Sequence, residues 1–123
     1  MKIRHNFKNL KVWQKSVDLA VKVYHITKGF PSEEKFGITS QMRRASVSIP
    51  SNIAEGTAKS TSKSFVNSLD ISLGESYELE TQAIIANLVG ILDTEEFSAL
   101  NSDITEVQRM INGLVSTVET NPY

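Results

Sequence analysis

A chain of 123 residues, 40% hydrophobic and 22% charged, has enough apolar surface for one core of ordinary size. It contains no cysteine, which excludes a disulfide framework, a thiolate nucleophile and a thiolate metal site, and suits a cytoplasmic protein. The opening MKIRHNFKNLKVWQK has no apolar stretch of the kind a secretory leader carries. No window nears the roughly 18 apolar residues in a row that a membrane span needs.

The net charge of −1 conceals a polarity: residues 1–63 hold 12 Lys/Arg against 4 Asp/Glu, and residues 64–123 hold 1 against 10, so the halves carry +8 and −9. Four arrangements produce such a division. The basic half can face a polyanion, the acidic half can face a protein, copies can associate head to tail, or basic and acidic helices can lie side by side and neutralise each other.

Taken in order, residues 1–9 form a basic lead-in with Lys2, Arg4 and Lys8, anchored by Phe7, and Asn9 is placed to cap a helix. The first helix is expected from Leu10 to Lys28. It carries two apolar rows, one of Leu10, Trp13, Val17, Ala20 or Val21, and Tyr24, the other of Val12, Leu19, Val23 and Ile26. Two rows make a stripe wider than one neighbouring helix requires. Gly29 and Pro31 stop the helix, and Pro31-Ser32-Glu33-Glu34 reads as a turn capped by Ser32.

The second helix starts between Gly37 and Thr39 and carries Ile38, Met42, Ala45, Ile49 and Ile53 on one row. Pro50 removes a donor and crowds the carbonyl of Ser46, so the helix is expected to kink there and to remain one helix, because the apolar row continues in register. Asn52 is placed to serve the carbonyl that the proline leaves without a donor. Gly56 ends or loosens the helix. Thr57–Ser64 is a polar connector, with Thr61 or Ser62 as cap.

The third helix is expected from Lys63 to Ile91. One row holds Phe65, Leu69, Leu73, Ser76, Leu79, Ala83 and Ala86, and a second holds Val66, Tyr77, Ile84, Leu88 and Ile91. Gly74 inside it suggests the close approach of another helix. Asp93-Thr94-Glu95-Glu96 starts the fourth helix, with acid where the dipole favours it. Phe97, Leu100, Ile104, Val107, Ile111, Leu114 and Val118 then alternate three and four apart as a seam, and residues 119–123 form a tail. Four amphipathic helices with short connectors predict an all-α, antiparallel up-down-up-down four-helix bundle, a single domain over residues 1–123.

Catalytic patterns are scarce. His5 and His25 are the only histidines, and neither follows a glutamate by three, so the Glu-x-x-His pattern of bundle metal sites is missing. There is no nucleophile elbow and no Gly-rich phosphate loop. No metal, cofactor or catalytic residue is expected. Two polar sets remain. Lys8, Lys11, Lys15 and Lys22 form one basic stripe over the lead-in and the first helix, and with Lys59, Lys63, Arg43 and Arg44 they form a candidate phosphate-tracking surface. Arg44, Ser48, Ser51 or Asn52, and Glu55 share one face of the second helix, with Arg43 rotated about 100° away. Either the arginines contact phosphates, or they form a polar network with Glu55 or with Glu78 of the third helix.

The segments LKVWQKSVDLAVKVYHIT, GITSQMRRASVSIPSNIAEG and SLGESYELETQ resemble the four-helix-bundle proteins encoded in intervening sequences of bacterial 23S ribosomal RNA genes. The likeness runs from about Phe7 to Val118, and the second helix is its most specific part. It implies a bundle that assembles as a homopentamer around a central channel. The chain is also similar to the accessory variability protein of diversity-generating retroelements, a basic pentamer that binds nucleic acid and partners a reverse transcriptase. Arg43, Arg44, Pro50, Asn52, Glu55, Gly56, Glu78 and Glu80 carry over as the signature. Glu75 departs from it, since a serine more often follows that glycine, and so does the near-neutral charge. The resemblance implies a non-enzymatic oligomeric accessory protein that binds RNA or DNA through its basic half. The alternative is a protein-interaction module, for example with a reverse-transcriptase-like partner, that binds no nucleic acid.

Overall fold

The computed structural model describes residues 6–121. Lys2, Arg4 and His5 of the lead-in, and Pro122 and Tyr123 of the tail, lie outside the described residues. A short 3-10 turn, Phe7–Asn9, precedes four helices: α1 (Lys11–Thr27), α2 (Ile38–Thr57), α3 (Ser62–Leu88) and α4 (Thr94–Thr120). A second 3-10 turn, Ser32–Glu34, joins α1 to α2. Each helix packs on its neighbour in sequence, and α4 closes back on α1. The result is the four-helix bundle expected from the apolar periodicity. The helices α3 and α4, at 27 residues each, are about 40 Å long.

Several helix ends follow local chemistry. Thr61 accepts the Ser64 N–H at 3.1 Å and caps α3, and Asp93 accepts the Glu96 N–H at 2.7 Å and caps α4. Others differ from expectation. Asn9 does not cap α1; Leu10 occupies that position without a side-chain bond, while Asn6 caps the preceding turn. Ser32 likewise makes no capping bond. The third helix stops at Leu88, not Ile91, because Gly90 turns the chain at φ +83° and the Ile91 and Leu92 N–H groups donate back to the Ala86 carbonyl. That turn folds Leu92 into the core. At the other end, α4 continues through Thr120, so Glu119 and Thr120 are helical and not part of a tail.

Pro50 lies inside α2, which runs on through it to Thr57. Met42, Ala45, Ile49 and Ile53 on one side of that helix are fully buried. The Ser72 hydroxyl of α3 donates to the Ile49 carbonyl at 2.9 Å within the core, tying α3 to α2 beside the proline. Asn52 does not serve the Ser46 carbonyl: its Nδ2 donates to Ser48 O at 2.8 Å, one turn back from its own position.

The close approach expected at Gly74 occurs at Gly56 instead. A Cβ built on Gly74 would meet nothing within 4 Å, whereas one on Gly56 would stand 2.8 Å from Phe65 Cδ1 and 2.9 Å from Ser68 Cβ. The bare Cα of Gly56 lets α3 settle against the last turn of α2. Gly56 is inside the helix and buried, so its absent side chain serves packing, while the chain leaves α2 two residues later.

In α4 the predicted seam faces inward, with Leu100, Ile104, Val107, Ile111 and Val118 buried. In α1 and α3 one of the two apolar rows enters the core, and the other meets it only in part, through Leu10, Trp13 and Ala20 in the first helix and Val66 in the third. Val12, Leu19 and Val23 enter the core from α1, and Phe65, Leu69, Leu79, Ala83 and Ala86 enter it from α3. Tyr77, Ile84 and Leu88, placed on an apolar row of the third helix by their spacing, lie on its outside instead.

Candidate functional site

The two adjacent arginines of α2 serve two different neighbours, because successive residues point about 100° apart on a helix. Arg43 turns to α1: its Nε donates to Thr27 Oγ1 at 2.9 Å, and its guanidinium stacks over the Tyr24 ring at 4.7 Å from the centroid. The Thr27 hydroxyl donates in turn to the Val23 carbonyl at 2.8 Å. Arg44 turns to α3: its Nη2 donates to Glu78 Oε1, and its Nη1 lies 3.5 Å from Glu75 Oε2. The hydrogen bond and charge of Glu78, with the charge of Glu75 behind them, raise the Arg44 pKa above the ordinary arginine value. Glu75, the departure from the family pattern, is therefore a second carboxylate for Arg44. Glu55 does not meet either arginine; it pairs with Lys59 at 3.6 Å along its own helix. Glu80 accepts from Gln108 Nε2 at 2.9 Å, joining α3 to α4.

The basic stripe of α1 lies along the seam with α4, and part of it is neutralised there. Lys15 pairs with Glu106 at 3.3 Å and Lys22 with Asp103 at 2.5 Å. Lys8 stands over the Phe7 ring at 6.0 Å. Lys8, Lys11 and Lys63 are exposed and make no ion pair among the described residues. The opposite charges of the two halves thus meet within one chain at α1/α4 and α2/α3. These pairs are largely exposed, so a double-mutant cycle on Lys22→Ala and Asp103→Ala should give a coupling below about 1 kcal/mol, read by urea unfolding. A coupling of several kcal/mol would show that the contact is a buried structural bridge.

The remaining features are apolar. Between α1 and α2 runs a groove of about 700 Å³ lined by Phe7, Trp13, Val17, Val21, Tyr24, Val47, Pro50 and Ala54, with His25 and Lys28 at one end. Phe7 packs edge-on against Trp13, centroids 5.2 Å apart, at the opposite end of the groove. On the far side of the bundle, α3 presents Tyr77, Ile84, Ile85 and Leu88 to solvent, with Leu88 79% exposed. The spacing of the sequence assigned Tyr77, Ile84 and Leu88 to an apolar row and left Ile85 out of it. The missed signal is angular: Leu88 is five residues from buried Ala83, about 140° round the helix, so both cannot face one core. Among the described residues no group of three or more His, Cys, Asp or Glu side chains is placed to hold a metal, and no helix is long and apolar enough to cross a membrane.

Residues 8–113 match the family described as 23S rRNA-intervening sequence protein. The chain belongs to this family. A solved structure from Bacteroides thetaiotaomicron, described as a protein of unknown function from the S23 ribosomal protein family, is similar at 25% identity. The alignment covers 85% of this chain and 97% of that one, with a TM-score of 0.77. A comparison with curated proteins gives no match. In this family member the arginine pair of the signature clamps α2 between α1 and α3, and Gly56 is the contact point of α2 with α3.

Proposed function

We propose that this protein is a non-enzymatic, self-associating cytoplasmic accessory protein that acts by assembling with other macromolecules. The observation that carries the proposal is the outward apolar row of α3 together with the open apolar groove on the opposite side of the chain. Large apolar side chains uncovered on two faces of so small a bundle mark contact surfaces, because leaving them in water forfeits their burial. The resemblance to the pentameric bundles sets the expected assembly at five copies. Light scattering coupled to size exclusion tests it: the expected mass is five times the 13.7 kDa chain, and a single-chain mass at micromolar concentration overturns it.

Nucleic-acid binding is a second function, supported by the exposed Lys11 and Lys63 and by the similarity to the retroelement accessory protein. Its surface would comprise Lys8, Lys11, Lys15, Lys22, Arg43, Arg44, Lys59 and Lys63. Ion pairs already occupy Lys15, Lys22, Arg44 and Lys59. Any RNA affinity is therefore expected to be weak and to fall steeply with salt. Retention of structured RNA at low ionic strength that Lys11→Glu/Lys63→Glu abolishes would support it; no retention would leave a protein partner, such as a reverse-transcriptase-like enzyme, as the sole class of hetero-partner.

A further inference from the structure

We infer that the end of the bundle formed by the α1–α2 connector and the α3–α4 turn is a separate contact surface, and that its partner is a basic, amphipathic segment of another protein. It rests on the reading above that the chain works by contact with other macromolecules, and it names the chemistry of one such partner. The topology puts residues 28–37 and 89–93 at one end, since α1 and α3 finish there and α2 and α4 begin there. Each connector sends one apolar side chain inward and one outward. Phe30 packs against the core while Phe36 is 89% exposed, and Leu92 is buried while Val89 is 63% exposed. Neither outward side chain hangs on a loose loop. The Glu34, Lys35 and Gly37 N–H groups donate to the Pro31, Ser32 and Glu34 carbonyls at 2.9, 3.2 and 3.0 Å, so bonded turns bracket Phe36. The Val89 N–H donates to the Ile85 carbonyl at 3.0 Å, just before the Gly90 turn. Side chains presented on bonded turns leave little to order when a partner arrives. Phe36 is no part of the α1/α2 groove, and Val89 lies past the last residue of α3.

One exposed apolar side chain is ordinary. Charge is what selects the occupant for this pair. Residues 28–37 and 89–96 carry Lys28 and Lys35 against Glu33, Glu34, Asp93, Glu95 and Glu96, a net charge of −3. Glu33, Glu95 and Glu96 are exposed and make no ion pair among the described residues. Lys35 stands over the Phe36 ring at 5.5 Å, so that ring already attracts a cation. The other end of the bundle is the reverse: residues 6–11, 57–63 and 119–121 carry four lysines against Glu119, a net charge of +3. Nucleic acid and anionic lipid are repelled at the acidic end. A second copy does not fit it either. Its acidic end repels, and its basic end offers no exposed large apolar side chain among the described residues. The complement is a protein segment with apolar side chains to cover Phe36 and Val89 and with lysines or arginines to meet the carboxylates.

The probe is a fluorescein-labelled helical peptide of leucine and lysine, titrated with the full chain and read by anisotropy. The wild type should bind it, and added salt should weaken the binding. Phe36→Ser with Val89→Ser should weaken it about tenfold or more. Both positions are exposed, so circular dichroism should show the fold intact. Glu95→Gln with Glu96→Gln should weaken binding several-fold and flatten its salt dependence. The same peptide with glutamate in place of lysine should not bind. Equal binding by the Phe36→Ser/Val89→Ser chain, equal binding of the glutamate peptide, or no binding of the lysine peptide at all overturns the inference. So does capture of the chain by phosphatidylglycerol vesicles that depends on Phe36, which would make the end a lipid contact. Light scattering of the same samples keeps self-association apart. An assembled chain that ignores the peptide overturns this inference alone, and a single-chain mass that binds it through Phe36 and Val89 overturns the assembly alone.

Discussion

Phe65→Ala should lower the unfolding free energy by about 3–5 kcal/mol, the usual range for removing a fully buried phenylalanine. Phe65 is the largest side chain in the core with no exposed surface. It sits in the first turn of α3, where that helix leans on the end of α2. Removing it leaves a cavity at the junction where α2 and α3 are closest, which the rigid backbones on either side cannot fill. The loss should appear as a fall in the urea midpoint without a change in slope, measured by helical circular dichroism. Protein concentration must be held fixed, because assembly adds to apparent stability. A loss below about 1 kcal/mol would show that α3 does not pack on α2 in this way.

Gly56→Ala should cost about 1–3 kcal/mol, although alanine is ordinarily the better helix former. The added methyl would stand 2.8 Å from Phe65 Cδ1 and 2.9 Å from Ser68 Cβ, neither of which is the loose end of a flexible chain. Gly113→Ala supplies the contrast: its Cβ meets nothing within 4 Å, so the same change in the middle of α4 should stabilise by up to about 1 kcal/mol. The two costs at the α2/α3 contact should also couple. With Phe65 already reduced to alanine, the methyl on Gly56 moves into vacated space and its penalty should shrink, a non-additivity of about 0.5 kcal/mol or more. Equal penalties in both backgrounds would place the source of the Gly56 requirement elsewhere.

The fold was legible because helix periodicity and end signals agree along most of the chain. The α4 seam and the single α2 row could face only one way. In α1 and α3, where two apolar rows share a helix, periodicity located the rows, without Ile71 or Ile85, but left undetermined which row faces in. That choice depends on what lies beside each helix, and the outward row carries the candidate contact surface. The same limit explains the two glycines. Gly56 and Gly74 look alike as interruptions of a helix, and only the packing of α3 on α2 separates the tight one from the open one. Lys15 and Lys22 read as a cationic stripe because their partners, Glu106 and Asp103, are more than eighty residues away in sequence and reach them only when α4 closes on α1. The arginine pair was legible as a network but not in its division of labour, since the Thr27 hydroxyl gives no sign in the sequence of being a partner for Arg43.

The outward apolar rows are the centre of the functional account, and side-chain footprinting by hydroxyl radicals reads their covering directly. Phe36, 89% exposed and outside both surfaces, is the internal reference. In the assembled protein, Tyr24 in the groove and Tyr77 and Leu88 on α3 should be labelled several-fold more slowly than their exposure in a single chain predicts, and dilution or the Leu88→Glu substitution should restore the labelling of Tyr24 and Tyr77. Labelling of Tyr24, Tyr77 and Leu88 at the rate of a free chain, in a sample that matches Phe36, would contradict it.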